Sequence, residues 1–150
     1  MHPDNPVYTS LNDCDGIVMC ETGELVAGCV NTKMQPGIKS IASSAFRGRH
    51  ADVLNFTKQD APDLSSIQFG AFSGCLGINT LNVDRDDISV NMNAFNGCEY
   101  INVANVSSDA IPYALLTKTV HLNVLSAKTV DKNAFSGYIN LKSAALDSVT

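Results

Sequence analysis

The sequence predicts a solenoid of the α/β class, strand-rich with short helical turns, and the main observation behind this prediction is internal repetition. The phrase Ala-Phe, a variable residue and Gly occurs four times, with its aromatic residue at Phe46, Phe72, Phe95 and Phe135. An aliphatic residue stands five positions before each Phe. The spacing of roughly 20 to 26 residues is typical of chains that stack short units on one another.

The interval between the third and the last copy is close to two periods, which predicts a degenerate copy in residues 111–116. There Leu116 takes the position of the Phe. After the first copy, which breaks step behind Phe46, apolar residues follow the Phe position at plus six and plus nine, and Leu122 and Leu125 take these places in the degenerate copy. We therefore expect about five units.

The repeated phrase has a physical explanation. The Phe buries about 150–250 Å² of ring surface, and the Gly can adopt the positive φ that leads the chain out of a tight turn. The preceding aliphatic residues have the spacing of short strands with one buried face. One such unit cannot bury its own apolar side, so we expect stability to come from stacking, with the Phe column as core.

The N-terminal part has a different pattern, which predicts a β-hairpin. With a turn at residues 22–23, Cys20 would lie opposite Leu25. Cys14 and Cys29 would then be diagonal neighbours, a placement compatible with a disulfide. The alternative is that these cysteines are reduced and act as small apolar side chains.

Composition limits the classes of function. The chain has 150 residues, 45% of them hydrophobic, which is enough for one domain with a sizeable core. Its net charge is −5 and it has no Lys/Arg cluster, so we expect no nucleic acid as partner. No apolar run approaches the roughly 20 residues of a membrane helix, so we expect no membrane insertion by this segment.

The sequence offers little for catalysis or metal binding. The three histidines lie far apart and none adjoins a recognisable nucleophile turn. The acidic run at residues 84–87 lacks the Gly and distal Glu of an EF-hand and predicts a solvated loop. Cys75 and Cys98 occupy equivalent positions of two units and should stack as small buried residues. We therefore expect no catalytic residue, no metal site and no cofactor.

A series of asparagines is the strongest candidate for a binding surface. Seven positions after the Phe position the chain has Asn79, Asn102 and Asn123, with Lys142 closing the series. Stacked units would align them, either as an amide ladder that satisfies itself or as part of a ligand-facing sheet. The candidate face comprises Asn79, Thr80, Asn82, Asn102, Asn105, Asn123 and Lys142. Asn55 starts the series if residues 49–52 are a small insertion.

The unit at residues 64–81 resembles a BspA-type leucine-rich repeat. Units of that family have the form aliphatic-x-x-Ile, a few polar residues, Ala-Phe-x-Gly-Cys and then Leu-x-x-Leu, and this unit matches nearly throughout. The similarity extends from about residue 14 to the end of the chain. It departs from the family pattern where Arg49 and Tyr138 replace the Cys and where the degenerate copy has lost its Phe.

The resemblance implies a right-handed leucine-rich-repeat solenoid, with a tail and hairpin in residues 1–37 and repeats in residues 38–150. We expect the segment to be part of a longer chain and truncated at its C-terminus. Proteins of this family are surface adhesins, so the resemblance implies a non-enzymatic binding module, on the cell surface or secreted. Its partner would be a protein or glycan on host or neighbouring cells, and the alternative is a spacer without a ligand of its own.

Overall fold

The structure is a computed structural model that describes residues 7–10, 15–108, 113–126 and 135–147. Nearly all of its regular structure is strand. In chain order the strands are β1 (Tyr8–Thr9), β2 (Ile17–Met19), β3 (Glu24–Ala27), β4 (Ser40–Ile41), β5 (His50–Phe56), β6 (Ser66–Ile67), β7 (Gly77–Val83), β8 (Ser89–Val90), β9 (Ile101–Val106), β10 (Thr119–Val124) and β11 (Ser143–Leu146). One four-residue helix, α1 (Tyr113–Leu116), precedes β10.

The strands form two sheets whose order follows the repeats. Sheet A has the order β1-β2-β3-β4-β6-β8, and sheet B has the order β11-β10-β9-β7-β5. Each central unit contributes a two-residue strand to sheet A and a longer strand to sheet B, and all neighbours in sheet B are parallel. The described residues form a strand-rich solenoid, as predicted, but with about four turns instead of the expected five units and with less helix than predicted.

The aromatic residues of the first three copies form one buried stack. The ring centroids of Phe46 and Phe72 are 4.9 Å apart, and those of Phe72 and Phe95 are 4.4 Å apart. Gly28 covers the N-terminal end of this stack, because its backbone lies where a Cβ would collide with the Phe46 ring. In the last copy Phe135 is only partly buried and meets Tyr138 edge-on. The predicted core role of the Phe column is confirmed for the first three copies.

The register of the degenerate unit differs from the predicted one. β10 pairs with β9 so that Leu122 lies beside Ala104 and Val124 beside Val106. Leu125 is therefore not a core residue and is 43% exposed. The reason is α1, which buries Leu116 but leads into β10 after a shorter connection than the Ala-Phe-x-Gly turns, so the strand begins about three residues early.

The N-terminal strands also have a register that the sequence reasoning placed wrongly. β2 and β3 pair antiparallel with Met19 beside Glu24 and Val18 beside Leu25, so Cys20 does not face Leu25. A four-residue turn replaces the expected two-residue turn, and the Gly23 amide closes it by donating to the Met19 carbonyl at 2.9 Å. Gly23 ends this turn with a φ of +70°, which favours glycine.

Cysteine pairing at the N-terminus stays a prediction, because Cys14 lies outside the described residues. Its proposed partner Cys29 is half-buried, and its thiol donates to the Asp15 carbonyl at 2.9 Å. The Cys29 amide is bound by the Thr32 hydroxyl oxygen at 2.6 Å. These contacts fix the position of Cys29 beside the chain segment that leads towards residue 14.

The acidic run at residues 84–87 is more than the solvated loop predicted from its charge. Arg85 is only 6% exposed and donates from Nη1 to the Ala61 carbonyl of the preceding unit. It also pairs with Asp87, and this hydrogen bond lowers the pKa of the Asp87 carboxyl. Arg85 therefore joins two consecutive loops, which a count of charges along the sequence cannot reveal.

Candidate ligand-binding face

The solvent side of sheet B presents a ladder of four asparagines. The strand register aligns Asn55, Asn82, Asn105 and Asn123, one on each of four neighbouring strands. From Asn82 onward, each amide Nδ2 donates to the Oδ1 of the preceding asparagine, with distances of 2.7, 2.8 and 2.9 Å along the series. We call these four residues the asparagine ladder.

The ladder leaves hydrogen-bonding capacity for a ligand. An Asn side chain has two N–H donors and two acceptor positions, and a residue in the middle of the ladder uses one of each. All four residues are half-buried between core positions such as Leu81 and Leu122, which are fully buried. The packed backbone therefore holds the amides in fixed positions while one edge of each stays accessible.

The predicted column of Asn79, Asn102, Asn123 and Lys142 is observed in part, because Asn123 lies in a different column. Asn79 and Asn102 share a column, because their neighbours on both sides are paired between β7 and β9. Asn123 belongs to the asparagine ladder, beside Asn105, because the shorter connection through α1 shifts β10. The register instead continues the column of Asn79 and Asn102 with Val120 and Lys142 on one side and Asp52 on the other. We call these five residues the outer column.

The outer column is open to solvent. Asp52, Asn79, Asn102 and Lys142 are all exposed. Its first two members are joined, since Asn79 Nδ2 donates to Asp52 Oδ1 at 2.9 Å. The column has a carboxylate at one end and an ammonium group at the other, with two amides and Val120 between them.

A third column lies between the other two. It contains Thr80, a predicted site residue, together with Val53, Val103, His121 and Ser143. His121 Nδ1 and Ser143 Oγ are 2.8 Å apart, within hydrogen-bond distance. Sequence reasoning missed His121 as part of this face, because only the observed register of β10 brings it into line with Thr80.

A groove of about 440 Å³ adjoins the C-terminal end of the outer column. We call it the terminal groove. It is lined by Glu99, Tyr100, Val120, Ile139, Asn140, Leu141 and Lys142. Two of these residues, Val120 and Lys142, also belong to the outer column, so the groove and the polar face are continuous. No sequence motif pointed to the groove, which depends on how one unit packs on the next.

The two central cysteines, Cys75 and Cys98, lie in the core and not on the polar face. Cys75 and Cys98 are buried, as predicted, and their thiols donate to the carbonyls of Arg49 at 3.3 Å and of Tyr100 at 3.5 Å. The hydrogen bond with Cys75 and burial both raise the pKa of Cys98. The Cys98 thiol therefore stays protonated at neutral pH and is a poor nucleophile.

Comparison with protein families gives the context for this geometry. Residues 28–142 match the BspA type leucine rich repeat region in six copies. The chain therefore belongs to this family. A comparison with curated proteins gave no match. Leucine-rich repeats are generally non-enzymatic scaffolds that mediate protein interactions, and the BspA type is typical of surface or secreted bacterial proteins.

The described residues include no helix long and apolar enough to cross a membrane.

Proposed function

We propose that this chain is a non-enzymatic binding module of a cell-surface adhesin that recognises host matrix proteins or other cells. Its ligand would bind the solvent side of sheet B, across the outer column and the asparagine ladder. The observation that carries the proposal is the repetition of accessible side-chain amides on four neighbouring strands, which lie about 4.8 Å apart in a sheet. An extended, regular face of this kind is how solenoids bind their partners.

The rigidity of the face favours binding. The amides stand on paired strands above fully buried residues such as Leu54 and Leu81, so little conformational entropy is lost when a ligand binds. The face is polar, and we expect a polar interface with bridging water molecules. Because amides outnumber charges on it, binding should depend only weakly on salt concentration.

The proposal also includes the handedness of the solenoid and the role of its N-terminal strands. We infer that the solenoid is right-handed, because connections between parallel strands of one sheet are right-handed in nearly all proteins. We also infer that β2 and β3 act as a hairpin that opens the array, since β3 pairs parallel with β4 through Leu25 and Ile41. The division of the chain at residue 37 is part of the same proposal. So is its location on the cell surface or outside the cell.

The test is equilibrium binding of the folded domain to fibronectin, fibrinogen, collagen and bacterial surface glycans at physiological salt. In the double variant Asn79→Arg/Asn102→Arg, two long side chains cover the outer column. We expect saturable binding to one panel member and at least a ~10-fold loss of affinity in the double variant. Asn96→Arg is the matched control, since Asn96 is an exposed asparagine in the turn after Phe95, outside sheet B.

A second candidate function is a spacer that projects other domains. The observation that favours it is the asparagine ladder itself, whose amides already hydrogen-bond to one another without a ligand. A folded domain that binds no member of the panel would support the spacer.

The binding face has a separate test. If Asn96→Arg lost binding to the same extent as the double variant, this result would contradict the proposed face.

A further inference from the structure

We propose that the terminal groove is a binding site for a neutral sugar ring. The inference rests on the proposed function and deepens it, because it names a ligand class for one end of the polar face. It depends on three properties of the groove, namely a fixed aromatic wall, a balanced pair of charges and a size suited to a small ligand.

The aromatic wall is Tyr100, and Gly77 determines its position. A Cβ on Gly77 would collide with the Tyr100 ring, so the missing side chain allows the ring to lie on the backbone of the preceding unit. The ring is also 6.2 Å from the ring of His50, in the unit before that. Because Tyr100 leans towards the N-terminal units, the space between it and residues 139–142 stays open as the groove.

The remaining lining combines apolar and polar groups. Val120, Ile139 and Leu141 supply the other apolar side chains of the lining. Glu99 supplies hydrogen-bond acceptors and Lys142 supplies donors, while Asn140 can do both. Asn140 is held in place because its Nδ2 donates to the Glu99 carbonyl oxygen at 3.4 Å. One carboxylate and one ammonium group make the groove close to neutral overall.

This lining discriminates between classes of ligand. An apolar ligand would remove water from Glu99, Asn140 and Lys142 without replacing their hydrogen bonds, which is costly. A charged ligand of either sign would be attracted by one of Glu99 and Lys142 and repelled by the other, so it would gain little over a neutral ligand. A pyranose ring carries hydroxyl groups that both donate and accept, and its C–H face is apolar. It therefore matches the polar rim and the Tyr100 wall together.

The size of the groove sets the expected affinity. Its volume of about 440 Å³ is at the lower end of the range for small-molecule sites, about 300–1,000 Å³. The groove is shallow and largely open to solvent, so a single sugar ring would keep much of its surface in water. We expect millimolar affinity for one ring, with stronger attachment arising when many copies of the module engage one glycan-bearing surface.

The test is a titration of the isotope-labelled chain with methyl glycosides of mannose, galactose and N-acetylglucosamine, followed by amide NMR spectra. We expect saturable shifts at Tyr100, Val120 and Asn140 with one sugar, with a Kd of about 1–10 mM. Tyr100→Ala should weaken binding at least ~10-fold, whereas Tyr100→Phe, which keeps the ring, should change it less than ~2-fold. Phe69→Ala is the matched control, because Phe69 is an exposed ring outside the groove.

The outcomes separate this inference from the proposed function. Absence of saturable shifts at the groove up to about 50 mM of each sugar would overturn the sugar site, even if a matrix protein binds the outer column. Equal weakening by Tyr100→Ala and Phe69→Ala would overturn it as well. If Tyr100→Ala does not fold, Glu99→Gln takes its place, and unchanged affinity in that variant would contradict the polar rim. A host glycoprotein and a bacterial polysaccharide that both carry the preferred sugar then distinguish the two sources of ligand.

Discussion

The central units of the array and the units after α1 share one sheet but differ in their cores. In the central units the rings of Phe72 and Phe95 stack with an interplanar angle of 5°. After α1, Phe135 is only partly buried and its ring centroid is 5.8 Å from that of Tyr138, in an edge-on arrangement. β11 is exposed along its whole length, whereas β7 and β9 bury most of their apolar residues.

Sheet B nevertheless continues without interruption through both regions. β9, β10 and β11 pair parallel, and the asparagine ladder crosses from β9 to β10 through the bond from Asn123 to Asn105. The pairing of strands and the alignment of the polar face therefore do not require the aromatic stack. We therefore expect changes in the Phe column to affect mainly stability, and changes on the solvent side of sheet B to affect mainly the proposed binding.

The largest expected effect on stability distinguishes the core of the central units from the core after α1. Phe72→Ala should lower the free energy of unfolding by about 3–5 kcal/mol, because the ring is fully buried between two others. Phe135→Ala, at the equivalent position of the last copy, should cost only about 1–2 kcal/mol. Urea unfolding of both variants checks the difference. Equal costs would show that the aromatic stack does not distinguish the two regions.

The next effect compares the middle and the end of the asparagine ladder. Asn82→Ala breaks two amide hydrogen bonds and leaves Asn55 Oδ1 and Asn105 Nδ2 half-buried without them, so we expect a loss of about 1–3 kcal/mol. Asn123→Ala breaks one such bond and should cost about 0.5–1.5 kcal/mol. Urea unfolding measures both. A larger cost at Asn123 would contradict the placement of Asn82 in the middle of the ladder and of Asn123 at its end.

Alkaline pH should weaken the central core through its buried thiol. The pKa of Cys98 is raised in the folded state, whereas in the unfolded chain it lies near its ordinary value of about 8.5. Stability is therefore fully present below that value and falls as the pH rises above it. Urea unfolding at several pH values measures this loss of stability. We expect the full loss in the control variant Cys20→Ser, which changes an exposed thiol, and a smaller loss in Cys98→Ala, which removes the buried thiol.

The smallest effect concerns the loop that joins two central units. Asp87 is mostly exposed, so Asp87→Asn should cost less than about 1 kcal/mol. Because the pKa of the Asp87 carboxyl is lowered, its contribution is present above about pH 4 and disappears as the pH falls through the folded value. Acid unfolding of Asp87→Asn and of its neighbour Asp86→Asn tests this. A larger effect of Asp86→Asn would contradict the assigned partner of Arg85.

The same two regions explain how much the sequence could predict. The Ala-Phe-x-Gly period predicted the stacked units, because equivalent residues have the same role in each of the first three copies. The Phe is buried in the core, and the Gly adopts a positive φ in the turn. The register after α1 could not be predicted, since a count of positions does not reveal that Leu116 ends a helical turn and that β10 follows closely. For that reason Asn123 was assigned to the wrong column. The terminal groove was also beyond the sequence, because it depends on Tyr100 leaning over Gly77 of another unit.

The central claim, that the solvent side of sheet B is the binding surface, is tested most directly by one comparison of affinities. The panel member that binds the wild-type chain is titrated against Asn102→Arg and Asn96→Arg, two equivalent changes on and off that face. We predict at least a ~10-fold loss of affinity in Asn102→Arg and wild-type affinity in Asn96→Arg. Wild-type affinity in Asn102→Arg, with the fold intact, would contradict the claim.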